Sequence, residues 1–176
     1  MALSSASAIA SETSDPKDTA SRLDIRYVRV TGTRNGEGRI RIETYGDWNA
    51  RYLRAAKDTS MGVRFDDGDD QDVQHGEYPG GGTWSGGTYE AFGVFRYRDG
   101  NLRFVVSLFA INNDVHDVYV ARRPNRHTVV VRFSFDRPYF KEEHLSVGAR
   151  VFDRVDCPYA QCSDHAPDGR TRMRVY

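Results

Sequence analysis

Apolar and polar residues alternate along most of the chain from Leu23 onward, and this alternation is typical of β-strands. Ile40, Ile42 and Thr44 alternate with polar residues, as expected for a strand with one buried and one solvated face. No window of helical length keeps an apolar period of 3.6 residues. The pattern therefore predicts an all-β fold, in which only residues 48–57 have room for a helical turn.

Turn residues separate the predicted strands. The strongest strand patterns cover residues 24–31, 39–45, 61–65, 92–98, 102–111, 118–121, 128–135 and 145–151. Asn35-Gly36 and Asp99-Gly100 tolerate positive φ, so each is expected to close an antiparallel hairpin. The segment 102–111 is apolar on both faces, which predicts a central strand. About eight short strands without intervening helices predict a single antiparallel β-sandwich or jelly roll with long loops.

The N-terminal residues lack this patterning. Residues 1–10, MALSSASAIA, are small and weakly apolar and end like a signal-peptide cleavage site, although they lack a charged start. They are either the remnant of a signal peptide or a flexible end. We therefore expect residues 1–20 to carry no fold and residues 21–176 to form the β-domain.

The two cysteines of the chain, Cys157 and Cys162, lie five positions apart. This spacing is too wide for a thioredoxin-like motif, and there is no second pair to complete a zinc site. A small loop closed by a disulfide is predicted, with two free thiols as the alternative. Because disulfides form in oxidising compartments, the prediction implies a secreted protein.

The balance of charges narrows the range of partners. Lys and Arg together number 25, as do Asp and Glu, so no net field attracts nucleic acid or an anionic membrane. Mean hydropathy is −0.66, and no apolar run reaches the roughly 18 residues of a membrane span. The expected partner is a glycan or an extracellular protein, whereas the oligomeric state is not indicated.

The densest group of carboxylates follows a predicted strand. Its members are Asp66, Asp67, Asp69, Asp70 and Asp72. Several hard oxygens close together within one turn are the ligands that Ca²⁺ prefers. The spacing departs from an EF-hand loop, so the alternative is a solvated acidic turn that protects a sheet edge.

A second acidic group is divided between the two ends of the chain. Asp15, Asp18 and Asp24 lie near the start, and Asp164 and Asp168 lie near the end. Terminal segments of a domain are often close together in space. We therefore predict a structural Ca²⁺ ion held between the chain ends, with turn and capping roles for the aspartates as the alternative.

Aromatic residues in predicted turns and loops are candidates for stacking on a flat ligand such as a sugar face. They are Trp48, Tyr78, Trp84, Tyr89 and Tyr159. Trp84 lies between two glycine clusters, in the segment PGGGTWSGG. Its ring either projects from the loop as a binding residue or folds back as a plug over the core.

Motifs for catalysis are not found in the sequence. The five histidines show no zinc-binding spacing, and no G-x-S-x-G nucleophile elbow occurs. A pair of catalytic carboxylates of the glycosidase type is the remaining enzymatic alternative. The available glutamates are Glu77, Glu90, Glu142 and Glu143.

Three short motifs each resemble a segment found in one known group of proteins. They are DPKDTASRLDIRYVRV from Asp15, TYGDW from Thr44, and Asp164-His165-Ala166-Pro167-Asp168 after the two cysteines. Together they resemble secreted actinobacterial β-sandwich domains of poorly defined function. More distantly, the layout is similar to jelly-roll carbohydrate-binding modules. The resemblance implies a β-sandwich that binds a ligand and carries no catalytic site.

The leading hypothesis is a non-catalytic extracellular module that presents its loops to a glycan or a protein surface, with structural calcium. One alternative is a secreted inhibitor or docking protein that uses the disulfide loop around Tyr159 as a rigid protrusion. The other is a carboxylate-dependent glycoside hydrolase.

Overall fold

The structure is a computed structural model, and it describes residues 9–32, 37–54, 58–66, 91–108, 116–134, 146–157, 162–166 and 173–174. These residues form eleven β-strands and one short 3₁₀ helix, η1. The strands are β1 (Ile9–Ser14), β2 (Ile25–Gly32), β3 (Glu37–Thr44), β4 (Thr59–Asp66), β5 (Ala91–Arg98), β6 (Asn101–Leu108), β7 (His116–Asn125), β8 (Thr128–Ser134), β9 (Ser146–Asp153), β10 (Cys162–Ala166) and β11 (Met173–Arg174). The 3₁₀ helix spans Ala50–Leu53. The prediction of an all-β fold is confirmed.

The strands form one antiparallel sheet that is nearly barrel-shaped. Their order is β1-β2-β3-β8-β7-β6-β5-β4-β9-β10, and β11 pairs with β9. Strand β7 links the two halves of the sheet, because its first residues pair with β6 and its last residues pair with β8. The curvature brings β10, at one end of the sheet, close to the start of β2.

Alternate residues of β3, β4, β6, β8 and β9 belong to a common core. Phenylalanines fill its centre: Phe65 lies 5.5 Å from Phe133 and Phe95 lies 4.7 Å from Phe104, measured between ring centroids. Rings at these distances are favourably packed in tilted or edge-to-face arrangements. The core thus joins strands from both halves of the curved sheet.

Both predicted hairpins are present. Strands β2 and β3 pair over their whole length, and β5 and β6 are joined by Asp99 and Gly100, which have φ of 51° and 79°. The predicted central strand is β6, which lies between β5 and β7. The helical turn expected within residues 48–57 is η1, and the Asn49 side chain caps it by accepting from the Arg51 amide.

The N-terminal segment differs from the prediction. Residues 1–20 were expected to carry no fold, yet Ile9–Ser14 form β1 and pair with β2 along six residues. The sequence IASETS has only one large apolar side chain, so the strand gives little alternation to detect. Its stability comes from pairing with an existing strand, a tertiary effect that local patterning does not report.

The described part of the chain contains no helix with the length and apolar character needed to cross a membrane.

Gly93 provides a test of the core packing. A Cβ atom at this position of β5 would overlap the Phe104 ring, which lies directly against the backbone. Gly93→Ala is therefore expected to lower the free energy of unfolding by about 1–3 kcal/mol, because Phe104 must move within a packed core. Urea denaturation measures the change. The control is Gly148→Ala, whose Cβ would meet only the flexible Arg64 side chain at 2.9 Å; an equal loss in both variants would contradict the packing described.

Candidate functional site

The two ends of the curved sheet meet at a seam between β2 and β10. Strand β1 ends opposite Tyr27, so the amide of Ile25 at the start of β2 lies beyond it. That amide donates a hydrogen bond of 2.5 Å to the Asp164 carboxylate on β10. Among the described strands no ladder of backbone hydrogen bonds joins β2 to β10. The seam is therefore closed by side chains.

Three carboxylates converge at this seam. Oxygens of Asp18, Asp24 and Asp164 all lie within 4.8 Å of one another. We call these three residues the acidic cluster. Asp24 is 0% exposed and Asp164 is 3% exposed, whereas Asp18 faces solvent. The structure thus brings together aspartates from both ends of the chain, as the second acidic group of the sequence predicts.

The buried carboxylates of the acidic cluster are only half satisfied. Oδ2 of Asp24 accepts from the Thr19 amide at 3.0 Å, and Oδ2 of Asp164 accepts from Ile25. The other oxygen of each, Oδ1, is buried and has no hydrogen-bond partner. Buried polar atoms are normally paired, so these two oxygens point to a ligand that the protein itself does not supply.

Electrostatics make this arrangement unfavourable without a counter-ion. Burial, with smaller contributions from the charges of Asp18 and Asp24, raises the pKa of Asp164 to about 6. Burial also raises the pKa of Asp24, and the hydrogen bonds from Thr19 and the charge of Lys17 oppose that rise only in part. Negative charges confined in a low-dielectric site repel one another, and a cation removes the repulsion.

Asp15 lies beside the acidic cluster. It is 4% exposed, and its carboxyl group lies close enough to that of Asp164 to lower the pKa of Asp164. Its backbone is fixed at both ends, because its amide donates to the Arg26 carbonyl at 3.0 Å and its carbonyl accepts from the Tyr45 hydroxyl at 2.8 Å. Asp15 therefore connects the acidic cluster to the outer surface of the sheet.

Asp153 shows how the same seam buries a carboxylate that needs no ion. It is 0% exposed, and its oxygens accept from the Ser21 and Tyr52 hydroxyls at 2.5 and 3.0 Å. The amides of Val155 and Asp156 donate to it at 2.9 and 3.2 Å. Burial, followed by the charge of Asp153, raises the pKa of Tyr52. Asp153 is thus paired through both oxygens.

An ion pair closes the exposed side of the seam. The Arg22 guanidinium donates to both oxygens of Asp156 at 2.9 Å, and the Arg22 amide donates to the same carboxylate at 2.8 Å. The guanidinium also lies 4.7 Å from the centre of the Tyr52 ring. Nearby, a disulfide joins Cys157 to Cys162 at the start of β10, which confirms the predicted loop.

Trp48 differs from its predicted role. It was expected to lie in a loop with its ring free for stacking, but it is 3% exposed and belongs to the core. The Arg123 guanidinium covers the ring at 4.3 Å and donates to the Trp48 carbonyl. The physical reason is a cation–π contact between residues that are 75 positions apart in the chain. A contact of this range cannot be predicted from the local sequence pattern.

Several predicted site residues lie outside the described residues. They are Asp67, Asp69, Asp70, Asp72, Tyr78, Trp84, Tyr89, Tyr159 and Asp168, together with the glutamates of the hydrolase alternative, Glu77, Glu90, Glu142 and Glu143. Asp66 is the last residue of β4. The first acidic group and the loop aromatics other than Trp48 therefore stay predictions.

A groove of about 400 Å³ lies on the outer face of β2 and β3, next to Asp15. We call it the outer groove; it is lined mainly by Arg26, Tyr27, Arg29, Arg41, Glu43 and Tyr45. These residues are not among the site residues predicted from the sequence, because the polar face of a hairpin is ordinarily only solvated. A β-bulge between Ile25 and Tyr27 interrupts the alternation of side chains, and bulges are not readable from polarity alone.

The tyrosine rings of the outer groove are held in place. The Tyr27 hydroxyl donates to Glu12 at 2.7 Å, and the Tyr45 hydroxyl is anchored on the Asp15 carbonyl. Tyr45 is nevertheless 40% exposed. The groove thus presents fixed aromatic surface together with the guanidinium groups of the neighbouring arginines.

Comparison with known proteins gives no relative: no protein family, curated protein or solved structure matches this chain. The resemblance to secreted actinobacterial β-sandwich domains and to carbohydrate-binding modules therefore stays a prediction.

The Arg22–Asp156 pair leads to a prediction about pH. The hydrogen bonds from Arg22 hold the pKa of Asp156 below its ordinary value of 3.8. A carboxylate with a lowered folded-state pKa stabilises the fold above its unfolded pKa, and this contribution is lost as the pH falls through the folded one. Because Arg22 is half exposed, Asp156→Asn should lower the free energy of unfolding by only about 0.5–1 kcal/mol at pH 7. The loss should become progressively smaller below about pH 4, where the wild type loses the same contribution.

Urea denaturation of both proteins between pH 3 and pH 7 measures this difference. The control is Asp99→Asn, which removes the charge from an exposed pair with Arg98 at a position of positive φ that Asn also tolerates. A difference between wild type and Asp156→Asn that stays constant with pH would contradict the prediction.

Proposed function

We propose that this domain is a non-catalytic extracellular binding module that takes an acidic glycan along the outer groove. The observation that carries the proposal is the pair of fixed tyrosine rings, Tyr27 and Tyr45, among three arginines on one open face. Aromatic rings stack on the flat faces of sugars, and planar guanidinium groups recognise carboxylates and sulfates in pairs of hydrogen bonds.

Preorganisation supports this use of the groove. Because both tyrosine hydroxyls are already hydrogen-bonded, binding a ligand does not have to immobilise free side chains. Arg29 and Arg41 are neighbours across β2 and β3. Each contacts a glutamate, since Arg29 lies 3.7 Å from Glu12 and Arg41 donates to Glu43 at 2.8 Å.

The distribution of charge favours an acidic ligand. Arg26, Arg29 and Arg41 line the groove, together with the half-buried Glu43 and the buried Asp15. The chain has no net charge, so attraction of an anionic polymer depends on such a local excess of cations. Uronic-acid or sulfated polysaccharides fit this chemistry.

The proposal also takes the fold as the β-sandwich that the sequence predicts. It is supported by the phenylalanine contacts between the two halves of the sheet, which β7 joins. The disulfide between Cys157 and Cys162 supports an extracellular setting, because such bonds persist in oxidising compartments.

Retention on immobilised polysaccharides tests the proposal, with acidic and neutral polymers compared at the same ionic strength. The protein should be retained by an acidic polymer, and Tyr45→Ala and Arg26→Ala should each weaken binding about tenfold through loss of stacking or of a charged hydrogen bond. Arg98→Ala, an exposed arginine outside the groove, is the control and should bind like the wild type.

Two outcomes would contradict the proposal. One is the absence of retention on every polymer. The other is wild-type binding by Tyr45→Ala together with loss of binding by Trp84→Ala, which would move the ligand to the loop aromatics predicted from the sequence.

A further inference from the structure

We infer that the acidic cluster of Asp18, Asp24 and Asp164 binds one Ca²⁺ ion, which fastens the segment before β2 to β10 and so closes the seam of the sheet. The inference goes beyond the proposed function, since it needs no ligand in the outer groove. It rests on the convergence of three carboxylates and on two buried oxygens that have no partner.

The unpartnered oxygens are the strongest indication. Oδ1 of Asp24 and Oδ1 of Asp164 are removed from water and receive no hydrogen bond. The backbone amides of Thr19 and Ile25 hold the opposite oxygens of the same two groups. Each carboxylate is therefore oriented by one oxygen and leaves the other for a ligand, as outer hydrogen bonds orient ligands at metal sites.

The distances suit a large, hard cation. Ca²⁺ binds oxygens at about 2.3–2.6 Å, so ligands on opposite sides of the ion lie about 4.6–5.2 Å apart. All three carboxylates of the acidic cluster offer an oxygen within 4.8 Å of the others. Mg²⁺ binds oxygens at about 2.0–2.1 Å, demands near-ideal octahedral geometry and gives up its water ligands reluctantly, so three carboxylates fixed by the fold suit Ca²⁺ better.

The chemistry of the ligands points the same way. The acidic cluster contains carboxylates alone, with no histidine or cysteine among its three members, and zinc sites usually include those softer ligands. Asp18 faces solvent, so an ion can enter from that side and keep water molecules as its remaining ligands. Three carboxylates and water can supply the six to eight oxygens that Ca²⁺ takes.

Asp153 provides an internal comparison. It is as deeply buried as Asp24 and lies at the same seam, yet hydroxyl and amide donors satisfy both of its oxygens. The fold therefore supplies donors to a buried carboxylate where no ion is needed. The acidic cluster lacks such donors at Oδ1 of Asp24 and Asp164.

Calorimetry and thermal unfolding of the full chain test the inference, after treatment with EDTA and dialysis. Titration with CaCl₂ should give one bound ion per chain. At about a hundredfold excess of Ca²⁺ over Kd the Tm should rise by roughly 5–10 °C, because the ion binds only the folded chain. MgCl₂ at the same concentration should give a much smaller rise.

Variants locate the ion. Asp164→Asn should abolish the Ca²⁺-dependent rise in Tm, and its Tm in EDTA should equal or exceed that of the wild type, because one repelling charge is removed. Asp18→Asn, at an exposed position that does not threaten folding, should weaken Ca²⁺ binding about tenfold or more. Asp47→Asn, an exposed aspartate outside the acidic cluster, is the control and should respond like the wild type.

The opposite results would overturn the inference. If neither Ca²⁺ nor Mg²⁺ produces heat or a change in Tm, the buried carboxyl groups are held by sharing protons. An equal response to Mg²⁺ would reject calcium as the ion. A full Ca²⁺ response in both Asp18→Asn and Asp164→Asn would place the ion elsewhere, for example in the acidic segment 66–72. No glycan enters these measurements, so their failure is separate from failure of the proposed function.

Discussion

Closure of the seam between β2 and β10 is the constraint on which the rest of this structure depends. A curved sheet whose ends approach each other without pairing leaves backbone amides that need acceptors. Here carboxylates reach across the gap, since Asp164 accepts from the Ile25 amide, and Asp153 and Asp156 accept from the hydroxyl of Ser21 and the amide of Arg22. Side chains thereby replace the missing ladder, and the segment before β2 is fixed as a result.

Using carboxylates as acceptors places negative charge at or near a buried seam, and the protein handles that charge in three ways. The charge of Asp153 is stabilised by hydrogen-bond donors at both oxygens, and the charge of Asp156 is paired with the guanidinium of Arg22. Asp24 and Asp164 have one donor each and repel each other. Buried charges are normally paired or fully hydrogen-bonded. Asp24 and Asp164 are neither, and in this they differ from Asp153 and Asp156. This difference makes the acidic cluster the candidate ion site of the seam.

The features that can be predicted from the sequence are those set by interactions between residues close together in the chain. Alternation of side chains and short turns are local, so β3, the β5–β6 hairpin and the turn at η1 are predicted from the sequence. Long-range contacts leave no local signal, as with the pairing of β1 with β2 and the Arg123 side chain that covers Trp48. The bulge between Ile25 and Tyr27 is local, but polarity alone does not reveal it. The grouping of aspartates is an intermediate case. Proximity of the chain ends is a general expectation, but only the structure shows which carboxylates meet.

The seam and the outer groove are physically linked through Asp15. Its carboxyl group contacts Asp164, and its carbonyl holds the hydroxyl of Tyr45, the exposed ring of the groove. Anything that orders the segment between β1 and β2 therefore also fixes the position of that ring. By linkage, an ion that favours the ordered segment and a ligand that uses Tyr45 must each strengthen binding of the other. We therefore expect the proposed ion site and the proposed ligand site to be energetically coupled, because one short segment of chain contributes residues to both.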